Sequence, residues 1–167
     1  MIILDASTLI LLAKVELLDL FLARVGAQVA IPAEVEKECC SQKKTLDALM
    51  IQKARQESKI KVIPVRNGKL VVKVQADFSL GRGEAEAVVL SLKHKVQLLG
   101  VDDKNGINAC KVLGIPFTTA VGILVRSCEN GLLDRSRALA KLEALRLHGR
   151  YKDSIIEDAR LKLEARP

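Results

Sequence analysis

Aromatic side chains are nearly missing from this chain, which has no tryptophan, one tyrosine and three phenylalanines in 167 residues. That argues against the stacking platforms on which single-strand binders lay successive bases, and it leaves the core to aliphatic side chains. The cysteine and histidine patterns of zinc sites are missing too. Cys39, Cys40, Cys110 and Cys128 contain no Cys-x-x-Cys pair, and the two histidines, His94 and His148, lie near none of them in sequence. No uninterrupted apolar run approaches the ~18 residues of a membrane span, and Met1 to Asp5 include no basic leader. The expected setting is the cytoplasm, with no membrane partner and with reduced thiols used as small packing groups.

What is present is a 49% hydrophobic composition, enough for one domain over 1–167 to bury roughly 70% of its unfolded surface. The formal net charge is +7, and its distribution is uneven. Residues 41–75 hold nine basic side chains (Lys43, Lys44, Lys53, Arg55, Lys59, Lys61, Arg66, Lys69, Lys73) against Asp47 and Glu57, while the rest of the chain sums to zero. Such a concentrated positive field suits a polyanion. Lys59, Lys61, Arg66 and Lys69 are the candidate polyanion-binding residues; the plainer reading is a solvated face that keeps the protein soluble.

Short apolar runs alternate with helical stretches along the chain. Ile2 to Leu4, Gln28 to Ile31, Gln97 to Asp102 and Phe117 to Thr119 read as strands. Helices are expected at about 8–24, from Pro32 through Cys40, at about 46–57 and 84–95, and then at 104–113, 120–130, 134–147 and 153–164. The pattern predicts an α/β fold, a three-layer α/β/α sandwich around a mostly parallel sheet. Asn67-Gly68, after the run that begins at Ile60, is a strong hairpin signal. The basic segment at about 41–75 is therefore expected to be a helix-plus-hairpin insert.

In a parallel sheet the carboxyl ends of the strands share one edge with the N-termini of the helices that follow them. Asp5 ends the first strand, Asp102 and Asp103 end the strand before helix 104–113, Glu84 opens the helix before that strand, and Glu38 lies two turns into its helix. Each acid alone has an ordinary role as a cap or a partner of the helix dipole. Their convergence on one edge is different, because clustered carboxylates repel unless a cation lies between them. An all-oxygen donor set suits Mg²⁺ or Mn²⁺. Glu84 and Glu86 diverge by about 200° on a helix, and Asp102 and Asp103 diverge on a continuing strand, so only one of each pair can join. Periodicity does not choose between them.

The segments Leu4-Asp-Ala-Ser-Thr-Leu-Ile10, Ile31-Pro-Ala-Glu-Val-Glu-Lys-Glu38, Gly83-Glu-Ala-Glu-Ala87, Leu99-Gly-Val-Asp-Asp-Lys104 and Leu113-Gly-Ile-Pro116 resemble the PIN-domain family. This is the ribonuclease fold that includes VapC-type toxins, and the likeness is greatest to a prokaryotic PIN-like subgroup. The resemblance implies Asp5, Glu38, Glu84 and Asp103 as the catalytic, metal-holding acids, ahead of Asp102 and Glu86, with Ser7 supporting Asp5. Two positions depart from the family pattern: Val101 stands where Thr is common, and Glu84 is longer than the commoner Asp.

The implied activity is a Mg²⁺- or Mn²⁺-dependent endoribonuclease that uses one or two ions and metal-activated water, leaving 5′-phosphate and 3′-hydroxyl ends. The implied partners are RNA, an antitoxin protein and a second copy of the chain. The competing reading is a catalytically weak or inactive PIN-like module that binds RNA or a protein. A phospho-aspartate phosphatase fits less well, since such sites use a second acid two residues after the first, where this chain has Ser7.

Overall fold

Ile2, Ile3 and Leu4 are buried on both sides, as a central strand of a parallel sheet must be. In the computed structural model, which describes residues 1–41 and 45–165, they form β1 (Ile2–Leu4). β1 pairs in parallel with β2 (Val29–Pro32) on one side and β4 (Leu98–Gly100) on the other. β3 (Ile60–Ile63) extends the sheet beyond β2 and β5 (Phe117–Thr118) extends it beyond β4. The order is β3-β2-β1-β4-β5, parallel throughout.

Side chains alternate across this sheet. Ile2 and Leu4 enter a core shared with α1 (Ala6–Lys14), α2 (Leu18–Arg24), α3 (Ala33–Cys40), α4 (Leu46–Gln56), α8 (Ala120–Glu129), α9 (Arg135–His148) and α10 (Asp153–Glu164). Ile3, between them, enters a second core with α5 (Gly68–Phe78), α6 (Arg82–His94) and α7 (Lys104–Leu113). Two cores on opposite faces of one sheet make the three-layer α/β/α sandwich expected from the sequence. Among the described residues, no helix is long and apolar enough to cross a membrane.

Three details differ from the sequence reading. The stretch read as one helix over 8–24 is two, α1 and α2, separated by Glu16 at a positive φ of 55°. The hairpin at Asn67-Gly68 does not form. Ile60 to Ile63 pair in parallel with Val29 to Pro32, and Asn67 instead caps α5, its side chain accepting from the Leu70 backbone N–H. Asparagine serves a turn and a helix N-cap by the same short side-chain acceptor, so the dipeptide alone cannot tell them apart. Consequently 41–75 is not a helix-plus-hairpin insert, because β3 is an edge strand of the main sheet. Lys43 and Lys44 lie outside the described residues.

The order of strands positions the site. Going outward from β1, the early strands β2 and β3 lie on one side and the late strands β4 and β5 on the other. The β1/β4 boundary is thus the switch point where, in open α/β sheets, a crevice opens beyond the strand carboxyl ends.

Candidate active site

Asp5 follows β1 and Asp102 follows β4, one on each side of that switch point. Asp5 is the N-cap of α1, and its carboxylate accepts the Thr8 backbone N–H at 2.7 Å and the Ser7 hydroxyl at 2.7 Å. The Thr8 hydroxyl donates in turn to Asp102 at 2.7 Å, so one threonine ties the two acids together. Asp102 also accepts the Ala120 backbone N–H at the start of α8 and the phenol of Tyr151.

Burial dominates the electrostatics here. Asp5 is fully buried, and this pushes its pKa up to about 7 against the pull of Thr8 and Ser7, with the Asp102 charge adding to the rise. Asp102 is raised by burial as well, opposed by its hydrogen bonds from Tyr151, Thr8 and Ala120. Two carboxylates so placed resist being ionised together unless a cation joins them.

Glu84 and Asp103 form a second, more open pair. Glu84 caps the start of α6 from the first turn, where its carboxylate accepts the Gly81 backbone N–H at 2.8 Å. Partial burial raises its pKa, and the charge of Asp103 adds to the effect. Asp103 caps α7 by accepting the backbone N–H groups of Asn105 and Gly106. Ser7, Glu84, Asp102 and Asp103 line one cleft of about 560 Å³, while fully buried Asp5 meets it through Ser7.

The remaining acids lie further out. Glu38 on α3 accepts the Gly83 backbone N–H at 3.2 Å, which places its carboxylate beside the residue preceding Glu84. Glu86, 5% exposed, is occupied by the Glu34 backbone N–H and the Arg82 guanidinium. Of that pair, Glu84 is the one in the cleft.

Between Asp102 and Asp103 the structure brings both to the cleft. Asp102 is linked to Asp5 through Thr8, and the charge of Asp103 acts on Glu84. Asp5, Glu84, Asp102 and Asp103 have no Lys or Arg partner within 4.0 Å among the described residues. Among those residues, no group of three or more acid, histidine or cysteine side chains is gathered closely enough to hold a metal ion. The acids stand as two pairs with Glu38 alongside, rather than as one ring.

A family profile described as a PIN domain matches residues 1–164. The chain belongs to the PIN-domain family. No curated protein and no solved structure matches it significantly. Membership makes a nuclease-like activity the natural expectation, and PIN domains typically use divalent metals. The donor chemistry in this PIN domain agrees with such an ion: every candidate ligand is a carboxylate, as hard cations prefer. Mg²⁺ commonly retains several waters and takes only one or two carboxylates from the protein, so paired acids meet its requirement without a closed protein cage.

The cations expected to meet RNA lie elsewhere on this PIN domain. Lys59 is exposed and paired with Glu57 at 2.7 Å, Lys61, Arg66 and Lys69 are exposed, and none of the four lines the cleft. None of the four cysteines is in a disulfide, and burial pushes the Cys110 thiol up to about 11, as suits a packing group rather than a nucleophile. Of the two histidines only His148 lines the cleft, so no histidine pair meets there.

Thr8 and Tyr151 escaped the sequence reading. Thr8 sits one helical turn from Asp5 and had a signal in its spacing. Tyr151 had only its rarity, as the single tyrosine of the chain.

Gly83 offers a probe that separates site geometry from stability. A Cβ there would lie 2.5 Å from Glu38 Oε1, the far end of a flexible side chain. Gly83→Ala is expected to leave the thermal midpoint nearly unchanged, because the carboxylate can swing aside. It is expected to lower RNA cleavage by up to about 100-fold, the cost of a small misplacement of a reacting group. Melting curves and initial rates on the same preparation check both expectations.

Proposed function

We propose that this PIN domain is an endoribonuclease that depends on Mg²⁺ or Mn²⁺. The observation that carries the reading is the Asp5–Asp102 pair at the switch point, the first fully buried and the second partly so, joined by Thr8 and both raised in pKa. The residues that would hold the ion are Asp5, Glu84 and Asp103, with Asp102 beside Asp5 and Glu38 behind Gly83. A bound divalent ion supplies the charge that lets these carboxylates ionise together and the Lewis acidity that activates water toward phosphorus. The protein contributes orientation. Ser7 and Thr8 fix the Asp5 carboxylate, Thr8 and the Ala120 backbone N–H fix Asp102, and the Gly81 backbone N–H fixes Glu84.

A second reading, a PIN-like module that binds RNA without cutting it, is favoured by one observation: the acids already accept hydrogen bonds from protein donors and form no three-ligand group among the described residues. Incubating the protein with labelled single-stranded RNA and Mn²⁺ tests the two. The nuclease reading expects fragments with 5′-phosphate and 3′-hydroxyl ends that vanish when EDTA removes the metal. Intact RNA under all conditions, from protein that binds it, would decide for the noncatalytic reading.

A further inference from the structure

The cleft is not purely acidic. Its rim also carries Lys14 at the end of α1, Lys104 at the start of α7, and Arg150 and Lys152 in the turn between α9 and α10. All four are exposed, and none has a carboxylate within 4.0 Å among the described residues. They come from three separate parts of the chain to one opening. Elsewhere the protein pairs many of its surface cations; Lys53, Arg55, Lys59 and Lys73 of the basic segment all have acidic partners.

The 149–152 turn is tied down over the acids. Tyr151 donates its phenol to Asp102, and Gly149 leaves space for the ring: a Cβ there would lie 2.4 Å from Tyr151 Cε2 and 2.7 Å from Cδ2. The glycine backbone N–H also closes α9 by donating to the Leu145 carbonyl. Tyr151 is thus clamped between Asp102 and Gly149, and its neighbours on both sides, Arg150 and Lys152, line the same cleft. The remaining wall is mainly aliphatic, with Ile10, Leu11, Ile107 and Ile155 beside Thr119 and His148.

We infer that the 149–152 turn is the substrate-holding element of the cleft, where Arg150 and Lys152, with Lys14 and Lys104 of the same lining, grip the phosphates of single-stranded RNA. The inference rests on the nuclease reading and adds where the RNA lies. Phosphate contact explains how a polyanion approaches a carboxylate site that would otherwise repel it. The wall has only two rings, Tyr151, whose hydroxyl is committed to Asp102, and His148, and stacking on such faces is sequence-tolerant, so the grip reads backbone charge with little preference among bases.

The test is fluorescence anisotropy of a labelled 12-nucleotide RNA, titrated across salt concentrations in EDTA so that the RNA stays intact, with cleavage of the same RNA in Mn²⁺ measured in parallel. Arg150→Gln/Lys152→Gln keeps a polar, unbranched stem and removes two charges. It is expected to flatten the salt slope by about 1.4 and to weaken binding on the order of 50-fold at 50 mM salt, converging with wild type near 1 M.

Replacing Lys59, Lys61, Arg66 and Lys69 together by Gln is expected to change the slope less than this double variant does. Circular dichroism melts of all variants establish that they are folded. If wild type binds and cuts RNA while the Arg150/Lys152 variant retains the full slope, the inference is overturned and the nuclease reading stands. If the Lys59, Lys61, Arg66 and Lys69 set carries the slope instead, the inference is likewise overturned. A wild type that neither binds nor cuts overturns both.

Discussion

Asp5→Asn is expected to abolish Mn²⁺-dependent RNA cleavage, with a loss exceeding the roughly 100-fold that removal of a mere outer-shell partner costs. The substitution is nearly isosteric, and the hydrogen-bond arrangement survives it. The amide oxygen can accept the Thr8 backbone N–H, and the amide nitrogen can donate to the Ser7 hydroxyl, whose oxygen also accepts. What disappears is the negative charge. A loss of cleavage with an unchanged circular dichroism spectrum therefore assigns that charge to the chemistry rather than to folding. Wild-type rates from homogeneous Asp5→Asn protein would remove Asp5 from the mechanism.

The same substitution is expected to stabilise the metal-free protein at neutral pH. Burial pushes the folded pKa of Asp5 up to about 7 from the ordinary carboxyl value of 3.8. Below pH ~4 the carboxyl is protonated in both states and contributes no pH dependence. Between about 4 and 7 the unfolded chain releases the proton and the folded one retains it, so stability falls as pH rises. Above 7 both states are ionised and the penalty is complete, on the order of 4 kcal/mol. Burial-raised Asp102 and Glu84 pull in the same direction, while Glu57 and Glu143, lowered by hydrogen bonds from Lys59 and Arg146 respectively, pull in the opposite one.

The difference between wild type and Asp5→Asn isolates the Asp5 contribution. Urea unfolding in EDTA is expected to give nearly equal stabilities at pH 4 and a variant several kcal/mol more stable at pH 8. Parallel curves across that range would show that Asp5 ionises in the folded state as easily as in water. A buried carboxylate that weakens its own fold at neutral pH is the stability–function trade-off in a concrete form.

Much of the sheet was legible because strands buried on both faces must be short apolar runs, and Ile2 to Leu4, Val29 to Ile31 and Leu98 to Leu99 are nothing else. The edge strand β3 was harder. Its exposed lysine, Lys61, and the following Asn67-Gly68 mimic a hairpin arm, and only the parallel register with β2 removes the ambiguity. The acids at the strand ends followed from topology alone, since a parallel sheet converts the end of any strand into one spatial edge.

The choice between Asp102 and Asp103 did not follow. β4 ends at Gly100, so the alternation that would have separated the two side chains has already stopped. The cations of the cleft were the least legible. Density of charge along the chain pointed to 41–75, but much of that charge is ion-paired. Lys14, Lys104, Arg150 and Lys152 meet only because three distant segments fold to one opening. The Tyr151–Asp102 hydrogen bond spans 49 residues, with no local pattern to announce it.

The central claim is that the carboxylates at the β1/β4 switch point hold a divalent ion. Anomalous scattering from crystals grown with Mn²⁺ tests it most directly. The account predicts a manganese peak within coordination distance of Asp5 and of at least one of Glu84, Asp102 and Asp103, absent from Asp5→Asn crystals. Wild-type crystals in saturating Mn²⁺ with no peak at that edge of the sheet would contradict it.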